Sequence, residues 1–198
     1  MPADRPIPVV LRGEWVRLEP LGIEHVPALT AATAGDDQVW EWMPAFPADE
    51  AGMSVVVERA LADRDQGTRF PFAVVDSATG HAIGSSSYLD IDPANERIEI
   101  GWTWLARAAW RSPVNTEAKI LLLGHAFDTL GYERVALKTH HLNVRSQAAI
   151  ARLGAVPEGT LRHHIRHRDG TRRDTVYFSV LSSEWPSVRE NLTARLRG

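Results

Sequence analysis

Apolar residues recur along the chain at two periods, and the changes of period mark the elements. Trp15-Val16-Arg17-Leu18 alternates and predicts a first strand. Residues 24–33 read as a short helix, in which Pro27 is tolerated only in the first turn. Residues 36–47 have no period. Asp49 suits the cap of a helix that runs to about residue 65. Apolar runs at 70–75, 82–91 and 97–105, separated by turn residues at 76–80 and 92–95, predict an antiparallel meander.

The strongest helical period lies at 115–130, where Leu121, Leu122, Ala126, Phe127 and Leu130 share a broad face and Gly131 is placed to end it. A strand at 135–139 follows, then a helix at 143–153 that Asn143 caps and Gly154 ends. This succession implies a parallel crossover between the strand ending near Leu105 and the one starting near Arg134. Strands at 160–168 and 172–181 flank the hairpin signal Asp169-Gly170, and a polar helix at 184–197 closes the chain. The expected fold class is α/β (α+β): a mixed, mostly antiparallel sheet flanked by helices, in a single domain 1–198. The proline-bearing segment 1–10 reads as a flexible lead-in.

Composition narrows the chemistry. The 198 residues are 44% hydrophobic and 24% charged, an ordinary globular balance. There are no cysteines, which excludes disulfides, thiolate metal sites and a cysteine nucleophile and is compatible with a reducing cytosol. The first ten residues lack the apolar core of a signal peptide, and no apolar run approaches the roughly 18 residues of a membrane span, so a cytoplasmic protein is expected. The net charge of −3 argues against general nucleic-acid binding.

The informative stretch is a strand, a loop and a helix start: Ile100-Gly101-Trp102, then Trp110-Arg111-Ser112-Pro113-Val114-Asn115, then Thr116-Glu117-Ala118. A helix N-terminus presents unpaired N–H groups that suit a phosphate. A second signature follows at Asn143-Val144-Arg145-Ser146, with Leu153-Gly154 and Glu158-Gly159 behind it. Together these resemble the acyl-CoA-binding core of the GNAT superfamily of N-acetyltransferases, nearest the branch of the ribosomal-protein N-terminal alanine acetyltransferases. The chain departs from that pattern at Trp110, at Pro113 in place of a loop glycine, at Asn115, and at Ile150, where many members carry a proton-donating Tyr.

The resemblance implies an acetyl-CoA-dependent N-acetyltransferase. Acetyl-CoA lies where two strands splay apart, and an amine attacks it directly. The implied cofactor residues are Trp104, Leu105, Arg111, Ser112, Val114, Asn115, Thr116, Asn143 and Ser146, with Ser146 also a donor to the leaving thiolate. The acceptor is a protein N-terminal α-amine or a small-molecule amine. Two other readings stay open: a non-catalytic acyl-CoA sensor, supported by Pro113 and Ile150, and an enzyme using a larger donor such as succinyl-CoA.

Glu99 alternates with Ile98 and Ile100, so its carboxylate points away from the isoleucine face; it is either a catalytic base or a cross-strand partner for an arginine such as Arg97. Ser146 can equally be a helix-start residue bonded to Asn143. His140 is a solvated strand-end residue or a base near neutral pH. Trp40 and Trp42 are core aromatics or border the acceptor pocket, whereas Trp102 and Trp104 read as core. Metal is not expected, because histidines 163, 164 and 167 lack a supporting carboxylate at ligand spacing. Arg162, His163, His164, Arg166, His167, Arg168, Arg172 and Arg173 form a basic hairpin, either solvated or facing an acidic acceptor, a dimer partner or a cofactor phosphate.

Overall fold

In a computed structural model of the protein, which describes residues 2–166 and 170–197, eight strands form one sheet in the order β1-β2-β3-β4-β5-β6-β8-β7. The strands are β1 (Leu11–Arg12), β2 (Val16–Pro20), β3 (Arg69–Asp76), β4 (Ala82–Asp92), β5 (Arg97–Leu105), β6 (Arg134–His140), β7 (Val156–Arg166) and β8 (Arg172–Leu181). The helices are α1 (Val26–Thr33), α2 (Glu50–Asp65), α3 (Pro113–Gly124), α4 (Val144–Arg152) and α5 (Trp185–Arg197). Every pairing is antiparallel except β5 with β6. The turn Asp169-Gly170 and the residues His167 and Arg168 of the basic hairpin lie wholly or partly outside the described residues.

Each sheet face has its own core. On one face Phe72, Tyr88, Ile98, Ile100, Val135 and Leu137 pack against Leu122 and Leu123 of α3, Ile150 of α4 and Leu192 of α5. On the other, Ala73, Val75 and Trp104 pack against Leu29 of α1, Met53 and Val57 of α2, and Trp40. Local chemistry sets the helix ends. Asp49 accepts a hydrogen bond from the Gly52 amide at 2.8 Å and starts α2, and Pro27 falls in the first turn of α1. Gly154 ends the α4 segment at φ +92°, a conformation that costs a glycine little.

Four expectations need correction. Helix α3 begins at Pro113, not at Asn115: Ser112 caps it, and proline at the first helical position loses no intrahelical bond. It also does not run as regular α-helix to Leu130, because His125–Thr129 widens into a π turn. Trp102 is not a core residue. It stands half-buried at φ +49°, where β5 has one residue too many against β4 between Ser85 and Ser87. The bulge breaks the alternation that assigned Trp102 and Trp104 to one face. Finally, the lead-in is anchored: Ala3 is buried, and the Ala3 and Asp4 amides donate to the Pro93 and Leu130 carbonyls.

Glu117 turns out to be a structural pillar. It is buried on α3, and its carboxylate accepts the backbone amides of Glu14, Trp15 and Val16 at 2.7, 2.7 and 2.8 Å. It thereby ties α3 to the turn between β1 and β2. Removing its charge weakens three bonds to an ionised acceptor at a buried site. Glu117→Gln is therefore expected to lower the unfolding free energy by about 2 kcal/mol or more in urea titration.

Candidate active site

The parallel ladder between β5 and β6 is short. It pairs Arg97 with Arg134, Ile98 with Val135 and Glu99 with Ala136, and then stops. Beyond it, β5 continues through Ile100 to Leu105 and β6 through Leu137 to His140 without pairing to each other. A gap opens there, along which the two strands exchange no ladder hydrogen bonds.

The start of α3 lies at the open end. The chain leaves β5 at Leu105, turns at Arg107–Ala109, and passes Arg111 at φ +59° to the cap Ser112. The Ser112 hydroxyl donates to the Ala109 carbonyl at 2.7 Å and accepts from the Val114 amide at 3.3 Å, so this side chain is committed to the cap. Asn115 and Thr116 are half-buried in the first turns of the helix, and the Val114 side chain is buried in the core. Trp110, the departure at the head of the loop, donates its indole N–H to the Leu105 carbonyl at 2.9 Å.

Helix α4 starts on the other side of the gap. Asn143 caps it by accepting the Ser146 amide at 2.9 Å. Ser146 is half-buried, and its hydroxyl has no hydrogen bond among the described residues. Arg145 was not singled out from sequence. Its guanidinium lies 3.8 Å from the centre of the Trp110 ring and joins the starts of α3 and α4 across the mouth of the gap. Ile150 is buried in the core, so no phenol stands at that position.

At the closed end sits Glu99, which is 1% exposed. Its partner is Lys138 on β6, whose Nζ lies 2.8 Å from Oε2; Arg97, the arginine weighed from sequence, pairs instead with Asp92. Lys138 also faces Asp90 at 3.8 Å and lies 5.7 Å from the Tyr177 ring centre. Oε1 of Glu99 has no hydrogen-bond partner among the described residues and lies beside Gly101, where a Cβ would come within 2.8 Å of it. Burial pushes the Glu99 carboxyl up to about 7, against the pull of Lys138 and with help from Asp90. Burial draws Lys138 down, but Glu99, Tyr177 and Asp90 outweigh it, so the ammonium is held above its ordinary range.

The aromatic segment before α2 packs instead against the C-terminal ends of β5 and β6, at the open end of the gap. Trp42 packs on His140 with ring centres 4.8 Å apart, and Trp40 packs on Trp104 at 4.7 Å inside the core. The Leu142 amide donates to Nδ1 of His140 at 3.0 Å, which puts the proton of the neutral imidazole on Nε2. Nδ1 of His140 is thus engaged by a backbone amide. Within the basic hairpin, His164 contacts the Thr175 hydroxyl at 3.1 Å, and Arg173 is half-buried. No cluster of three or more His, Asp or Glu side chains among the described residues could hold a metal ion. No helix among them is long and apolar enough to cross a membrane.

Comparison with known proteins assigns the family. The sequence model of the Acetyltransferase (GNAT) domain family matches residues 16–156, and the chain belongs to that family. A GCN5-related N-acetyltransferase from Brucella melitensis is 36% identical and superposes with a TM-score of 0.92, covering 98% of this chain and 88% of that one. The "Putative ribosomal N-acetyltransferase YdaF" of Bacillus subtilis is 33% identical over 106 residues, 54% of this chain, and the match spans only 57% of that protein's length. RimJ of Mycobacterium smegmatis, solved in complex with CoA-disulfide, shares the fold at a TM-score of 0.76 and 22% identity, covering 98% of this chain and 93% of that one.

The raised Glu99 carboxyl has a consequence for stability. A carboxyl held at about 7 in the folded chain and near 4.5 in the unfolded one favours folding fully below 4.5, and that contribution is lost as pH rises through 7. The protein without ligand is thus expected to lose roughly 3 kcal/mol from this group between those pH values. Glu99→Gln should flatten that part of the curve in urea titrations across pH. An identical slope in wild type and variant would show that Glu99 ionises normally.

Proposed function

We propose that the protein transfers an acetyl group from acetyl-CoA to a primary amine by direct attack, with Glu99 as general base. The observation that carries this reading is the buried Glu99, with one unpartnered oxygen, at the closed end of a gap whose open end holds the start of a helix. The CoA-disulfide in the RimJ relative supports the choice of donor.

The free edge of β5 suits the amides of a pantetheine arm, as in strand addition. Backbone amides between Arg111 and Thr116 suit the pyrophosphate, and Trp104 and Leu105 contribute through their backbone because their side chains are buried. The acceptor approaches over the sheet face that carries Glu99, Lys138 and His140, past Trp42. Lys138 holds Oε2 of Glu99 and leaves Oε1 to take a proton from the incoming ammonium, directly or through water. The neutral amine forms the new C–N bond, the C–S bond breaks, and the proton the nitrogen sheds on becoming an amide passes to the departing thiolate, directly or through water. The Ser146 hydroxyl donates a hydrogen bond to the departing sulfur as its charge grows. A base titrating near 7 suits an α-amine, whose pKa is about 8, better than a lysine side chain at about 10.4. A protein N-terminus is accordingly the preferred acceptor, in line with the ribosomal N-acetyltransferase name of the Bacillus subtilis relative.

Thiol release from acetyl-CoA with peptide and small-molecule amines tests the reading. Glu99→Gln is expected to lower turnover by roughly 10²- to 10⁴-fold at pH 7. The loss should narrow above pH 8, where the acceptor is already neutral. Ser146→Ala should cost about ten- to a thousand-fold in kcat, the scale of one transition-state donor, with CoA affinity little changed. Wild-type turnover no faster than hydrolysis with every amine would leave a protein that binds acyl-CoA without using it.

A further inference from the structure

Near the Glu99–Lys138 pair a further charged side chain is buried, this one without a counter-charge. Arg69 opens β3 and is 4% exposed. Its Nε donates to the Ser87 hydroxyl at 2.8 Å, and its guanidinium lies 4.7 Å from the centre of the Trp102 ring, at the bulge of β5. No carboxylate lies within ion-pair distance of it among the described residues. The nearest acidic influence is Asp63, which is itself paired with Arg59 at 3.1 Å. Its two terminal nitrogens make no hydrogen bond among the described residues. Burying a guanidinium is costly unless something answers its charge, and a ring face with one hydroxyl answers it only in part.

Arg69 borders a groove of about 290 Å³, which continues into a wider one past Asp90 and Arg97. The linings carry four arginines and three aspartates. Arg64 pairs with Asp65, Arg97 pairs with Asp92, and Arg5 spends a donor on the Gly67 carbonyl. Asp90, in the wall of the wider groove, lies 3.8 Å from Lys138, the partner of Glu99. Register fixes the spacing. Arg69 stands opposite Leu89, and Leu89 stands opposite Glu99. All three therefore share a face, and Arg69 lies two strand spacings, about 10 Å, from Glu99. An extended chain covers roughly 7 Å in two residues, and a side chain spans the rest.

We propose that Arg69 binds a carboxylate of the acceptor, so that the protein acetylates N-termini with an acidic residue at the second position. This rests on the acetyl-transfer reading above. A single carboxylate fits better than a phosphate, because the groove's own aspartates would repel a dianion. A guanidinium already oriented by Ser87 and Trp102 offers its terminal nitrogens as a fork that a carboxylate can match.

The test uses peptides that begin with alanine and differ only at the second residue, Glu, Gln or Lys. The wild type should show a kcat/KM at least ten-fold higher for the Glu peptide than for the Gln peptide, with the Lys peptide poorest. In Arg69→Met, which keeps an aliphatic stem on Trp102, that ratio should collapse toward one, and Arg69→Lys should restore it in part. Thermal melts confirm that each variant is folded. If Arg69→Met does not fold, Arg69→Lys alone must lower the ratio, since an ammonium cannot form the fork. A wild type indifferent to the second residue, or a ratio that survives at Arg69→Met, overturns the proposal and leaves Arg69 as packing for the bulge. Calorimetric binding of the Glu and Gln peptides to the CoA-loaded protein separates the two readings. Preferential binding of the Glu peptide without turnover upholds the subsite while the transfer reading fails, and turnover without preference does the reverse.

Discussion

The site depends on the point at which the parallel ladder of β5 and β6 ends. After Glu99 and Ala136 the strands part, and backbone groups that would otherwise be paired are left along both sides of the gap. An unpaired edge inside a sheet is costly unless something keeps it open and something else fills it. The starts of α3 and α4 keep it open. Trp110 is bonded to the last carbonyl of β5, Arg145 lies across its ring, and Asn143 fixes the first turn of α4 at the end of β6. The ends of the gap then differ in chemistry, with helix starts at one and a buried carboxylate at the other.

Charge burial follows from the same geometry. Glu99 and Lys138 meet because Lys138, two residues beyond Ala136, the ladder partner of Glu99, points to the same face of the sheet. Lys119 of α3 is a further buried cation, which burial draws down to about 7. It is held by the Thr103 hydroxyl at 2.7 Å and Ser86 at 3.3 Å, beside the bulge. A fold chosen for stability alone would place apolar residues at such positions. Here the charges gather around β5, the strand on which the gap is built.

Much of this was legible in the sequence because it is local. Asp49 and Asn143 cap their helices as the pattern expects, and the turn at 92–95 returns β4 into β5. The crossover rule places β5 beside β6 before any contact is known. What the sequence hid is of two kinds. Some of it was local but misread: Ser112-Pro113 is a good cap and first-turn pair, yet beside a glycine loop Pro113 stood out only as a departure. The rest is long-range. Gly101 beside Trp102 is a weak sign of a bulge, but the alternation of Trp102 and Trp104 runs past it unbroken. That Glu99 meets Lys138, that Glu117 gathers three amides from a turn about a hundred residues away, and that Arg69 looks across Leu89 toward Glu99 all depend on register between distant strands and helices.

The central claim is that the gap between β5 and β6 holds the donor, with the start of α3 at its mouth. Backbone amide hydrogen exchange with and without CoA tests it most directly. The account predicts slowed exchange at 100–105, at 111–116 and at 137–140 on adding CoA, with the amides of β1 and β7 unchanged. Protection that falls on β7 and β8 while 100–105 exchanges at its free rate would contradict it.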